Sequence, residues 1–383
     1  MKRWHKRLIR FASKASLFLP AVLILGVLSQ RANADDPMPY LRSIRQHTTL
    51  TSTVPANGDV NPYAIYVAPV SAGKIQKDDV LVDNFNNDNN LQGLGTTIID
   101  YNPVTKTTKL FASITHHLAA CSGGVGLTTA MTMLKSGWII VGSLPSNDGT
   151  TATKGQGCLI VLDSQGNLAR TITSPYINGP WGNMAVADDD DTATLFVSNT
   201  GFGVGAATND SPVVKKATVV RLRLNIPPGK PPVVTNQTVI ADGFGEQPDK
   251  GVFIIGPTGL VLGGNGVLYV SDAIGNRVAA IPAALTRTTG GGTGEDVTKG
   301  GLLERPLALC MTPNGHLLVT NALNGKVVEI NPTTRRPLGA QWIDVDQAQT
   351  PPGSGDLFGI AMTPSRDGFY YAEDDMNTLV LAH

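Results

Sequence analysis

The chain has 383 residues, of which 16% are charged, with 30 Lys/Arg balancing 30 Asp/Glu and only three cysteines. Seven of the basic residues and none of the acidic ones fall in residues 1–34, so the remainder carries 23 basic against 30 acidic residues, a formal charge of −7. A mildly acidic body without a Lys/Arg cluster excludes nucleic acid as a partner, because affinity for phosphate backbones rests on clustered cations.

In chain order, the first element is a leader. Lys2, Arg3, Lys6, Arg7, Arg10 and Lys14 precede the apolar run "LFLPAVLILGVL" (17–28), and Ala32-Asn33-Ala34 has the small-x-small form of a cleavage site. This pattern predicts a secretory signal peptide over 1–34 and an exported protein, periplasmic or extracellular. The run is 12 residues long and interrupted by Pro20. That is short of the roughly 20 residues a spanning helix needs, so an uncleaved anchor is the weaker reading and no stable membrane insertion is expected after cleavage. Residues 35–46 read as an N-terminal arm, and "HTTLTSTVP" (47–55) has strand character.

Beyond the arm, one pattern returns six times: "VLVDN" from Val80, "IIVGS" from Ile139, "LFVSN" from Leu195, "LYVSD" from Leu268, "LLVTN" from Leu317 and "FYYAE" from Phe369. Each is preceded and followed by another short apolar run, with Gly, Pro, Asn and Asp at the boundaries. Spacings of 49 to 73 residues with almost no 3.6-residue periodicity predict a propeller rather than a helical solenoid. The fold class is therefore all-β: a six-bladed β-propeller over 47–383. The sixth unit ends at "NTLVLAH" after its third strand, so the N-terminal segment 47–55 is expected to supply the missing outer strand and close the ring.

The units "RPLALCMTPNGHLLVTNALNGKVVEINP" and "GPTGLVLGGNGVLYVSDAIGNRVAAIP" resemble NHL-type propeller repeats, and "NPYAIYVAP" with "LVDNFNNDNNLQGLGTTIIDYNP" resembles the opening of a group of exported bacterial NHL-like proteins. The resemblance covers nearly all of residues 45–383. It implies the fold and says little of function, because the wider superfamily mixes binding modules with lactonases, esterases and lyases.

The connections between the second and third runs are long and polar in units one to three (84–95, 143–157 and 199–216) and tight in units four to six. Long loops in a compact fold are often functional, so a small ligand or protein partner is expected on this face, with Tyr63, Asn84, Asn86, His116, His117, Trp181, Asn199 and Arg305 as contacts. The residues that close the second runs, Asn84, Asn199, Asp272, Asn321 and Glu373, have a plainer role as holders of the following turn.

Gluconolactonase-type enzymes, a distant relation, hold a divalent metal at the starts of inner strands, where this chain has Tyr63, Val125, Trp181, Thr258, Leu307 and Phe358. Few oxygen ligands survive there, Asn183 being the nearest, so the metal-dependent hydrolase or lyase stands as the alternative to a binding scaffold. A divalent cation elsewhere would fall to Asp356, Glu373, Asp374 and the adjacent Asp375. His116 and His117 are adjacent on an extended chain and so point oppositely, which leaves at most one facing the channel. In an oxidising compartment Cys121 and Cys158 could pair across the second blade, while Cys310 reads as a buried free thiol.

Overall fold

The computed structural model describes residues 38–344, 346–355 and 357–383. The expected leader, the first residues of the arm (35–37) and Asp356 lie outside the described residues. Among the described residues, no helix is long and apolar enough to cross a membrane.

Six antiparallel sheets form the six blades, and each of the six recurring segments is the second strand of its blade. Blade 1 holds Val60–Val67, Val80–Asn86, Thr97–Asn102 and Thr107–Ser113; blade 2 holds Leu127–Met133, Ile139–Ser143, Cys158–Leu162 and Leu168–Ile172. Blade 3 runs Ala185–Asp188, Thr192–Asn199, Val214–Asn225 and Val233–Asp249, with a fifth strand, Phe253–Ile255, beyond the fourth. Blade 4 comprises Pro257–Leu262, Leu268–Asp272, Arg277–Ile281 and Glu295–Lys299, and blade 5 Pro306–Met311, Leu317–Asn321, Lys326–Asn331 and Arg336–Trp342. Blade 6 contains Leu357–Met362, Phe369–Glu373 and Thr378–Ala382. Its outer strand is His47–Ser52, paired antiparallel with Thr378–Ala382 from His47↔Ala382 to Ser52↔Thr378. The N-terminal segment closes the ring.

Second and third strands are apolar on both sides because both sides are covered by blades. Successive side chains of a strand point to opposite faces. Leu81 packs toward blade 2 with Leu127 and Ile139. Its neighbours Val80 and Val82 pack toward blade 6 with Tyr370 and Leu379. Equivalent cores join blades 2 and 3, 3 and 4, 4 and 5, and 5 and 6. Outer strands touch neighbours on less of their surface and alternate accordingly; Thr107–Ser113 buries only Phe111 and Ala112.

In blades 3, 4 and 5 a hydroxyl at the next-to-last residue of the recurring segment ties the blade to the next. Ser198 Oγ accepts from Gly182 N (3.1 Å) and donates to Thr258 O (2.8 Å). Ser271 accepts from Gly259 N (2.6 Å) and donates to Leu307 O, and Thr320 accepts from Ala308 N (3.0 Å) and donates to Phe358 O (3.2 Å). These bonds fix the inner strands whose first residues surround the channel mouth.

The arm is held by blade 5. A short 3₁₀ turn, Tyr40–Ser43, presents its first amides to Glu329, which accepts from Tyr40 N (2.8 Å) and Leu41 N (2.9 Å) and contacts His316 Nδ1 (2.7 Å). Leu41 and Ile44 sink into the core between blades 5 and 6.

Candidate functional site: the lidded channel mouth

The first two long connections touch each other, and the second and third are tied to the chain around blade 3. Ser146 N of the second donates to Gly93 O of the first (2.9 Å), Lys154 Nζ of the second donates to Asn178 Oδ1 at the entry to blade 3 (3.1 Å), and Lys250 Nζ reaches Asn209 Oδ1 of the third (2.7 Å). Together they wall one side of the mouth. Cys121 and Cys158, with Cα atoms 5.8 Å apart, are joined by a disulfide at the foot of the second connection.

The mouth is roofed by a hairpin that, among the described residues, no other blade carries. The fourth strand of blade 3 is 17 residues long, and after the turn 250–252 the chain returns as Phe253–Ile255, with Gln247↔Ile255 and Asp249↔Phe253 paired. Asp249 Oδ1 holds the turn by accepting from Gly251 N (2.8 Å) and Val252 N (3.1 Å). Phe253 has φ +64°, a left-handed conformation that is an outlier for a bulky residue and marks a position over-determined by its surroundings. Those surroundings are aromatic. Phe253 stacks with Trp181 (centroids 6.4 Å apart, 28° between planes) and meets Phe85 edge-on at 5.6 Å. Tyr63 meets Phe358 at 4.1 Å, Phe85 at 4.6 Å and Trp181 at 5.8 Å. Ile254, Leu144, Leu307 and Ala322 complete the cluster.

Across the mouth the hairpin is tethered by polar contacts from two other blades. Gln92 Nε2 of blade 1 donates to Gly251 O (2.7 Å), and Arg305 at the entry to blade 5 lies 4.0 Å from Asp249. A cavity of about 30 Å³ remains beneath, lined by Tyr63, Trp181, Ile254, Arg305, Leu307 and Phe358 among others. That is room for about one water molecule. Both of its threonine hydroxyls are already committed: Thr129 donates to Trp181 O and Thr258 to Gly256 O (3.0 Å). A hard cation needs several free oxygen ligands, and this lining holds no carboxylate and carries the Arg305 guanidinium.

Of the expected contacts, the structure brings Tyr63, Trp181 and Arg305 together in the mouth. Asn84 and Asn199 are buried at strand ends, Asn84 donating to Thr53 O (3.0 Å) and Asn199 to Val197 O (3.3 Å). Asn86, also buried, donates to Asn90 Oδ1 within its own loop (2.6 Å). His116 and His117 stand 5.0 Å apart in the approach to blade 2 and do not line the cavity. Asn183 lies in the channel bore, donating to Leu260 O (2.7 Å) and accepting from Leu309 N (3.3 Å). Asp272 holds its turn, accepting from Gly275 N (2.8 Å) and Arg277 Nε (2.9 Å).

Asp374, half-buried beside Tyr63, is pushed up to about 7, first by burial and then by Asp375. Burial, with a smaller contribution from Asp374, raises the Tyr63 phenol well above its ordinary value. Glu373 is raised by burial and by Asp344, and it accepts from Thr378 Oγ1 (2.7 Å). Sequence reasoning missed Phe253, Asp249 and Gln92. The turn triplet Asp249-Lys250-Gly251 follows the polar stretch Gly245-Glu246-Gln247-Pro248, so no strand pattern beside it announced a hairpin.

No protein-family model and no curated protein matches the sequence. Solved structures do match in three dimensions. A gluconolactonase from Xanthomonas campestris is 12% identical, with 88% of this chain and 89% of that chain covered, at a TM-score of 0.53. A putative gluconolactonase is 12% identical over 88% and 91% of the two chains, with a TM-score of 0.52. A luciferin-regenerating enzyme is 9% identical over 88% and 94%, with a TM-score of 0.50. The class of protein is thus a six-bladed β-propeller, structurally similar to gluconolactonase-type propellers.

Proposed function

We propose that this is an exported binding protein that takes a compact aromatic anion beneath the blade 3 hairpin. The observation that carries the reading is the lidded mouth: an aromatic cluster around Trp181 with one cation, Arg305, at its rim. The polar tethers of the hairpin tip are Gln92 Nε2 to Gly251 O, Lys250 Nζ to Asn209 Oδ1 and a long ion pair from Arg305 to Asp249. Contacts of that kind contribute roughly 0–1 kcal/mol each, so the larger cost of lifting is the exposure of the buried Phe253, which a ring taking its place offsets. A flat ring that takes the place of Phe253 recovers its stacking on Trp181, and a carboxylate at the rim meets Arg305 in place of Asp249. The disulfide fits an oxidising compartment and so supports export.

The test uses 2-naphthoate, followed by tryptophan fluorescence. Phe253→Ala removes the ring that occupies the site, and its binding should be at least tenfold tighter than that of the unaltered protein; Arg305→Ala should weaken it by a similar factor. Absence of binding to both the unaltered protein and Phe253→Ala would end the proposal.

A second reading is a divergent hydrolase or lyase on the same face. Asp374, a carboxyl titrating near neutrality beside Tyr63, is the group that favours it. Lactone and ester hydrolysis, measured with and without chelator and with Asp374→Asn, separates the readings: turnover lost in Asp374→Asn supports the enzyme, and none above background removes it.

A further inference from the structure

Outside the mouth, at the seam between blades 5 and 6, three carboxylates converge from two chain segments. Asp344 follows the outer strand of blade 5, and Glu373 and Asp375 belong to the tight second-to-third turn of blade 6. One oxygen from each lies within 4.8 Å of the other two. Among the described residues, no Lys, Arg or His forms an ion pair with any of them.

Each carboxylate is oriented from its own segment. Asp344 Oδ1 accepts from Asp346 N (2.9 Å), Glu373 Oε2 from Thr378 Oγ1 (2.7 Å) and Asp375 Oδ1 from Met376 N (2.7 Å). Independently of the clustering, Asp344 is only 3% exposed, and its second oxygen, Oδ2, is buried without any hydrogen-bond partner. A buried, unpaired carboxylate oxygen on a residue grouped with two further carboxylates is costly unless something positive satisfies it.

We propose that Asp344, Glu373 and Asp375 form a divalent-cation site that takes calcium and clamps blade 5 to blade 6. The donor set suits that ion: calcium takes six to eight oxygens in flexible geometry at roughly 2.3–2.6 Å, which three carboxylates from two chain segments supply together with water, whereas magnesium demands a near-ideal octahedron. Asp375 is exposed and gives the ion its entry from solvent, with water completing the shell. The site stands apart from the aromatic mouth and does not depend on what binds there. It bears on ring closure, because blade 6 carries the N-terminal strand and Asp344 N is held by Gly325 O (3.1 Å) of the blade 5 turn.

The experiment is titration of the chelator-treated full chain with calcium chloride by calorimetry, with thermal melts alongside. One calcium per chain is expected, and the melting midpoint should rise by roughly 4 °C at calcium a hundredfold above the Kd. Asp344→Asn and Glu373→Gln, each with an unchanged circular-dichroism spectrum, should lose both effects, while Asp249→Asn at the mouth should keep them. Absence of calcium binding in the unaltered chain, or binding that persists equally in Asp344→Asn and Glu373→Gln, would overturn the assignment. Should either variant fail to fold, Asp375→Asn at the exposed rim decides in its place.

Discussion

Replacing Glu329 by alanine tests how the arm holds the ring closed. In the folded protein its carboxylate serves Tyr40 N, Leu41 N and His316 Nδ1, and both Glu329 and His316 are buried. If the arm stays docked in Glu329→Ala, at least two buried donors lose their partner at about 1–3 kcal/mol each. If it lifts instead, those donors regain water, but Leu41 and Ile44 leave the core between blades 5 and 6 at about 1.5–3 kcal/mol each. Both routes converge on a loss of roughly 4 kcal/mol, and the second also exposes the amides of 40–46. Urea unfolding measures the first quantity and amide exchange distinguishes the routes. Glu329→Gln retains one carbonyl acceptor and should cost about half as much. A Glu329→Ala protein within 1 kcal/mol of the unaltered one, with arm amides still protected, would refute the reasoning.

Reduction of Cys121–Cys158, which closes a loop of sequence separation 37, should lower stability by about 4 kcal/mol in the loop-entropy account, read as a urea midpoint with and without reductant. Without reductant, one thiol per chain should react in denaturant and none in the native state, because Cys310 is buried and burial pushes its thiol up. Glu246, buried and raised to about 7, gives a stability term whose sign follows from proton uptake on folding. Its contribution is fully present below about pH 4.5, the unfolded value, and is lost as pH rises through 7, by on the order of 3 kcal/mol. Glu246→Gln should remove that share of the slope between pH 4 and 8 in urea melts, and an unchanged slope would show that Glu246 titrates normally.

The blades were legible because their physics is repetitive. "LYVSD" and "LLVTN" are apolar on both faces since both faces meet another blade, and the turn residues that follow, as at Asp272, accept backbone amides. The closing strand was legible by elimination: a sixth unit with three strands needs a fourth, and His47–Ser52 is the unpaired strand-like segment nearest the other end of the chain. The hairpin was not. Val233–Asp249 lacks the apolar run of an inner strand, and nothing local says that it will overshoot its blade and return as Phe253–Ile255. Nor could the sequence bring Gln92 to Gly251, 159 residues apart, or Asp344 to Glu373, because both contacts exist only once the ring has closed.

The tying group differs in blades 1, 2 and 6; blade 6 has Ala372 at this position, and blades 1 and 2 stand beside the walled side of the mouth. Where blades 3 to 5 use Ser198, Ser271 and Thr320, blade 1 has Asp83, whose Oδ1 accepts from Ala64 N (2.8 Å) while Oδ2 is buried without a partner. Burial raises this carboxyl well above the carboxylate range, while its hydrogen bond from Ala64 N pulls the other way. Blade 2 has Gly142, and the bridging passes to Thr128 and Thr129, which donate to Pro180 O (2.7 Å) and Trp181 O. A side chain at Gly142 would press on Thr128 Oγ1 at 2.7 Å, so the glycine and the two threonines form one substitution. Its consequence is local: Trp181 is fixed through its own carbonyl, and it is on Trp181 that Phe253 of the lid stacks. Trp181 thus stands fixed on the side of the mouth that blades 2 and 3 build, and the hairpin packs against it.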